Sequence, residues 1–219
     1  MAGRVWLIGD DPEVSEQLAG WFGDAGYGSE RLGVGDVAVR LADGGAEVDV
    51  DGAVIDPGGY QPVGLGVLDW LLRAGVPVMM LVDAENLPEM AFGLSSGVTR
   101  FLRKPLDQDS FRATLAVPAP DTTQRGVGHF LFRTLDDVSD LSQLVAGLCP
   151  DPAMVQIGLS ELMLNAVEHG NLGIDFGEKS RLREEDRWEE EIARRLALPE
   201  NADKRVRLRV RRDDGRWVF

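Results

Sequence analysis

The sequence predicts an α/β fold, a doubly wound parallel sheet with helices on both faces, followed by a partial α+β region. Three observations predict it. Short apolar runs at residues 4–9, 48–56 and 76–82 alternate with helical stretches. Strands buried on both faces read as continuous apolar runs, and the helices between them serve as right-handed crossovers. Charge also divides the chain: residues 1–120 carry 8 basic and 18 acidic side chains, against 15 and 19 in residues 121–219. Between the two parts lies Val117-Pro118-Ala119-Pro120-Asp121-Thr122-Thr123-Gln124-Arg125-Gly126. Its prolines and small polar residues favour extended backbone. The predicted organisation is a first domain over 1–117, a linker over 118–127 and a second domain over 128–219.

The elements follow in order. Residues 4–9 form a strand, and Asp11-Pro12 is an N-cap with proline in the first turn, opening a helix to about residue 25. A helix over 35–42 precedes a buried strand within 48–56, centred on Ala53-Val54-Ile55. Helices over 63–73, 87–95 and 107–116 alternate with strands over 76–82 and 99–102. In the second part, 136–147 and 152–169 are amphipathic helices separated by Cys149-Pro150-Asp151-Pro152. The charge-dense segment 178–198 places Leu182, Trp188, Ile192 and Leu196 near one helical face with i,i+4 charge pairs outside; ordinary charge patterning predicts a solvated helix. Residues 205–210 alternate arginine with apolar residues, as in a half-exposed strand. Asp213-Asp214-Gly215 then turns into 216–219. The chain stops inside that strand, which reads as a piece of a longer protein.

Composition excludes several classes. With 44% apolar residues the 219-residue chain can bury a core, and a net charge of −14 argues against electrostatic binding to nucleic acid. The apolar runs are shorter than the ~20 residues that cross a bilayer. The N-terminus carries no cleavable signal, and a single cysteine, Cys149, excludes an intrachain disulfide and a Cys-rich metal site. A cytoplasmic protein without membrane contact is expected.

Ligands of a doubly wound sheet gather beyond the carboxyl ends of its strands. Asp10 and Asp11 follow the first strand, Asp56 ends the apolar run at 53–55, and Lys104 follows 99–102. Clustered carboxylates suit a hard cation such as Mg²⁺, and a carboxylate beside a cation and a lysine can attack phosphorus. Taken singly, each acid is equally an ordinary cap or loop charge.

The segments Leu7-Ile8-Gly9-Asp10-Asp11-Pro12-Glu13-Val14, Asp51-Gly52-Ala53-Val54-Ile55-Asp56, Pro77-Val78-Met79-Met80-Leu81 and Gly97-Val98-Thr99-Arg100-Phe101-Leu102-Arg103-Lys104-Pro105 occur in the order of a response-regulator receiver domain, which the first half resembles. The resemblance implies a flavodoxin-like (βα)5 fold. It makes Asp56 the phosphoacceptor, Asp10, Asp11 and Asp56 the Mg²⁺ site, Lys104 the phosphate-pairing lysine and Phe101 a switching aromatic. Two positions depart from the pattern. The family's acidic pair falls on Gly9-Asp10, and its Ser/Thr after the fourth strand falls on Val82, which cannot donate a hydrogen bond. A sensor histidine kinase or phosphotransfer protein is the implied partner, and the Phe101 face implies a homodimer or an intramolecular docking surface.

In the second half, Ser160-Glu161-Leu162-Met163-Leu164-Asn165-Ala166-Val167-Glu168-His169-Gly170-Asn171 puts Glu161, Asn165, Glu168 and His169 on one helical stripe that must face water or a ligand, with Leu159, Leu162 and Val167 behind it. A plain wet helix face reads the same way. The stretch resembles the N-box of histidine-kinase-like (GHKL) ATPases, in the branch of anti-sigma-factor serine kinases. The resemblance implies that Asn165 holds the Mg²⁺ of ATP-Mg, that Glu161 is a catalytic carboxylate, and that His169 and Gly170 lie near the nucleotide. It also implies an anti-sigma or anti-anti-sigma type partner. The family's glycine-rich nucleotide loops do not occur after Asn171, so ATP-Mg binding is expected only of a longer chain, with 178–198 an insertion. The expected function is a phosphorelay response regulator controlling an ATPase or serine-kinase-like output. The alternative is a non-enzymatic adaptor with a pseudo-receiver.

Overall fold

Apolar runs with helices between them build the sheet of the first unit. The computed structural model describes residues 3–42, 49–57, 62–83, 87–116 and 127–219. Five strand–helix pairs come first: β1 Arg4–Ile8, α1 Pro12–Asp24, β2 Gly28–Leu32, α2 Val34–Ala42, β3 Gly52–Ile55, α3 Pro62–Arg73, β4 Val78–Val82, α4 Leu87–Ser96, β5 Arg100–Arg103 and α5 Gln108–Ala116. Strands β2-β1-β3-β4-β5 lie side by side in that order, all parallel. The two-way reversal about β1 is the doubly wound pattern. Leu7, Val54, Leu81 and Leu102 meet Phe22 of α1 and Phe111 of α5 in one core. There the rings of Phe22 and Phe111 pack edge to face at 4.8 Å.

Two strands lie outside the sequence reading. β2, Gly-Ser-Glu-Arg-Leu, buries only Leu32 and lies at the end of the sheet order, so it needs no apolar run. β6, Val127–Phe132, joins β5 in parallel with Arg100 opposite His129. The His129 N–H donates to the Thr99 carbonyl at 3.0 Å. The expected linker lies, apart from Val127, outside the described residues. β7 Val206–Asp213 and β8 Arg216–Val218 follow β6 in the sheet order as an antiparallel hairpin. Its turn places Asp214 and Gly215 at positive φ.

Two compact units result, Met1–Phe130 with Arg209–Phe219, and Leu131–Leu208. The helices of the second are α6 Leu135–Ala146, α7 Pro152–Asn165, a π-helical turn Ala166–Asn171, α8 Phe176–Glu184, α9 Trp188–Leu196 and a 3-10 turn Pro199–Asn201. Thr134 and Asp137 form a reciprocal capping box on α6, and Asp151 caps α7 just before Pro152.

Residues 178–198 are not a solvated helix. The segment breaks at Asp186, whose φ of 54° ends α8, and both helices pack within their own unit. Leu182, Ile192 and the stem of Lys179 are buried. Arg195 binds Glu191 at 2.7 Å, Glu178, and the Leu172 carbonyl at 3.0 Å. Burial of the apolar stripe and satisfaction of a half-buried guanidinium outweigh the pull of water on the charges.

Candidate functional site

Parallel strands end on one rim, and the candidate residues of the first unit follow from that. Ile8 and Ile55 are opposite each other, so the chain leaves β1 and β3 side by side at Gly9-Asp10 and Asp56. The Asp56 N–H donates to the Ile8 carbonyl at 2.8 Å, and the Lys104 N–H to the Val82 carbonyl at 2.9 Å. Lys104 Nζ reaches Asp56 Oδ2 at 2.6 Å, with the two side chains 28% and 13% exposed. This partly sheltered pair sets an ammonium beside the carboxylate, where it can neutralise incoming charge. A Cβ on Gly9 would stand 3.0 Å from the Asp56 Cβ, so glycine at the first position of the expected acidic pair leaves the space that a side chain would fill.

The neighbouring acids divide. Asp10 accepts the Val34 N–H at 3.2 Å and remains exposed. Asp11 is the N-cap of α1: one oxygen accepts the Glu13 and Val14 N–H groups at 2.9 and 3.2 Å. One Asp11 oxygen is thereby committed to the cap, while Asp11 and Asp56 line one small cavity. Among the described residues no group of three Asp, Glu, His or Cys converges on one point. Mg²⁺ needs only one or two carboxylates, with water and phosphate oxygens completing its shell. Asp10 and Asp56, at adjacent strand ends, fit that demand.

Val82 is buried at the end of β4 and brings no hydroxyl. Phe101 is 3% exposed and stacks on Phe130 of β6 at 5.0 Å with the planes 14° apart. A Cβ on Gly128 of β6 would come 2.3 Å from Leu94 and 3.1 Å from Phe101, so only glycine lets β6 lie this close to α4 and β5. The expected Phe101 docking face is therefore covered by the chain's own β6.

Sequence reasoning missed Glu89, near the start of α4. It is 2% exposed, one of its oxygens has no hydrogen-bond partner, and its carboxyl is raised above the usual range. Burial is the main cause, and the charge of Asp56 adds to it. Nothing in Leu87-Pro88-Glu89 distinguishes it from an ordinary first-turn acid.

In the second unit, α7, the π turn and α8 line a cleft of about 400 Å³ through Glu161, Asn165, His169, Lys179, Ser180 and Arg183. The expected stripe breaks up here. The switch from α to π winding at Ala166 turns Glu168 inward to full burial, where it accepts from Lys179 Nζ at 2.5 Å and from the Trp188 indole. Leu162, expected in the core, is 69% exposed. Glu161 is exposed and accepts from the Asn165 amide at 3.4 Å. His169 Nδ1 donates to the Ile174 carbonyl, and Gly170 is exposed with no group pressing on it.

Asn165 Oδ1, the expected ligand of a nucleotide-bound Mg²⁺, faces Lys179 Nζ at 3.4 Å. A divalent ion there would meet an ammonium anchored by a buried carboxylate, and the two repel. The residues present do not fit the ion.

No protein-family model matches the chain. It is 29% identical over 132 residues to the transcriptional regulatory protein TcrA of Mycobacterium tuberculosis, covering 56% of this chain and 51% of TcrA. The chain thus spans about half the length of the curated relatives it matches. Among solved structures, the Vibrio cholerae chemotaxis protein CheY4 aligns with 21% identity over 52% of this chain and 97% of its own, at a TM-score of 0.42. A signal receiver domain of a histidine kinase from Syntrophus aciditrophicus aligns with 21% identity over 55% and 96%, also at 0.42. The likeness to TcrA joins the β2-β1-β3-β4-β5 order and the acid–lysine rim described above. Over about half of its length the chain is thus similar to a two-component regulator.

Asp56, Lys104 and Asp10 lie at the carboxyl ends of the parallel strands, with Val82 and Phe101 on the strands beside them. None of the described helices is long and apolar enough to cross a membrane.

Proposed function

We propose that the chain is a response regulator of two-component signalling that accepts a phosphoryl group on Asp56 from a sensor histidine kinase or a phosphotransfer protein. The supporting observation is the 2.6 Å pairing of Lys104 with Asp56 at the carboxyl ends of parallel strands. In the transfer, an Asp56 oxygen forms a bond to phosphorus as the bond from phosphorus to the donor's leaving group breaks. Lys104 shifts from the carboxylate toward the incoming phosphoryl oxygens and neutralises them. Asp10 and Asp56 would hold Mg²⁺, which supplies further neutralisation when bound. Val82 leaves one phosphoryl oxygen without the side-chain hydroxyl that receivers place there, which weakens coupling of phosphate to β4.

The output reading that we favour is a protein-docking second unit, working without ATP-Mg, rather than an ATP-dependent serine kinase. Lys179 against Asn165 carries that preference. TcrA is named a transcriptional regulator. The net charge of −14 on this chain favours a protein target over DNA.

The test is intact mass after incubation with acetyl phosphate and Mg²⁺. Wild type gains one phosphoryl group and Asp56→Asn gains none. No gain in folded wild type overturns phosphate acceptance and leaves a pseudo-receiver.

A further inference from the structure

Glu89 is buried in the first turn of α4, and its Oε1 has no hydrogen-bond partner among the described residues. A carboxylate taken out of water without a partner is costly, so such a group keeps its proton. The fold fixes where it stands. Helix α4 starts at the rim and runs back along β4, and a Cβ on Gly93 would stand 2.6 Å from Met80 Sδ and 3.2 Å from the Phe101 ring. Glu89 precedes Gly93 by four residues, so it shares that sheet-facing side one turn, about 6 Å, nearer the rim. Val82 lies two residues beyond Met80, on the same face of β4 and about 6.6 Å nearer the rim. Glu89 and Val82 therefore stand at one level. The charged groups at this end are Asp56 after β3, Asp83 after β4, and Arg103 and Lys104 at the end of β5, with Arg103 opposite Val82. Burial raises the Glu89 carboxyl most; the charge of Asp56 adds to it, Lys104 opposes, and Asp83 adds again.

We propose that Glu89, as the neutral acid, gives a phosphoryl group on Asp56 the hydrogen bond that Val82 cannot, so that α4 rather than β4 reads the phosphate. The inference rests on phosphate acceptance at Asp56. A phosphoryl group brings acceptor oxygens and further negative charge to the rim, and both favour the protonated acid. A hydrogen bond to a charged oxygen is among the stronger kind, enough to order the first turn of α4. Leu94, on the same helix, lies against Gly128 of β6, so a shift of α4 is felt there.

The full chain is titrated with beryllofluoride in excess Mg²⁺, the affinity being read from the Asp56 amide shift, alongside intact mass after acetyl phosphate. Glu89→Gln keeps an N–H donor and binds within threefold of wild type. Glu89→Leu keeps the bulk, loses the donor and binds at least tenfold more weakly, with unchanged circular dichroism. Glu89→Ala repeats the loss should leucine overfill the site. Val82→Thr puts a hydroxyl back on β4, and in the Glu89→Leu background it recovers at least threefold, which a merely structural role for Glu89 would not produce. A Glu89→Leu affinity within twofold of wild type overturns the proposal, as does an equal loss in Glu89→Gln or a Val82→Thr that rescues nothing. Wild type that gains no phosphoryl mass overturns phosphate acceptance, and this proposal with it. Wild type that gains the mass while Glu89→Leu binds as tightly overturns this proposal alone, so the two failures are told apart.

Discussion

Replacing Lys179 with methionine keeps the apolar stem and removes only the charge. Glu168 is then a fully buried carboxylate that still accepts from the Trp188 indole. Breaking one side of a buried ion pair costs about 3–5 kcal/mol, and the surviving indole hydrogen bond places this case near about 3. Lys179→Met should therefore lower the urea midpoint of the second unit by roughly 1–3 M for a slope of about 1–3 kcal/mol/M. The double variant Glu168→Gln/Lys179→Met removes both charges and should recover at least half of the loss, because the desolvation of the carboxylate disappears with it. Far-UV circular dichroism in urea reads the unfolding, and protease susceptibility around α8 and α9 assigns it to this unit. A single-variant loss below about 1 kcal/mol, the size found for exposed pairs, would refute the argument that the charged segment is clamped from inside.

Gly128→Val should destabilise the first unit by about 1–3 kcal/mol through overpacking against Leu94 and Phe101, and thermal unfolding checks it. Glu89 has a raised carboxyl, chiefly from burial, so its contribution is fully present below the unfolded value and is lost as pH rises through the folded one. Glu89→Gln should accordingly raise the midpoint at pH 7 and leave it nearly unchanged at pH 4. An equal gain at both pH values would contradict this. Glu191 behaves oppositely: hydrogen bonds from Arg194 and Arg195 hold it down to about 2. Its stabilisation is present above about pH 4.5 and is lost as pH falls toward 2, so Glu191→Gln should flatten the acid limb of the second unit's unfolding curve.

What the sequence displays and what it hides divide on physical lines. β1, β3 and β4 are legible because both faces of each are buried, which forces continuous apolar runs. β2 is hidden because an edge strand such as Gly-Ser-Glu-Arg-Leu buries one side chain and carries no pattern. β6 is hidden because its place depends on the absence of a Cβ at Gly128. The rim residues Asp56 and Lys104 could be placed because strand ends are fixed by the strands themselves. The second unit's stripe failed for a different reason. One π turn shifts the helical register, and a period-3.6 reading then assigns Glu168 to water when it is buried. Its partner Lys179, 11 residues on, carries no local signal, and neither does the burial of Glu89.

The claim on which the receiver reading depends is the convergence of Asp10, Asp56 and Lys104 on one rim that takes a divalent ion and a phosphoryl group. Backbone amide shifts recorded during titration with Mg²⁺, and then with beryllofluoride, measure it directly. The account predicts saturable shifts at Gly9–Asp11 and Asp56 with Mg²⁺, joined by Lys104 and Val82 on adding beryllofluoride, and none of them in Asp56→Asn. Shifts scattered over the surface, or an unchanged rim under both additions, would contradict it.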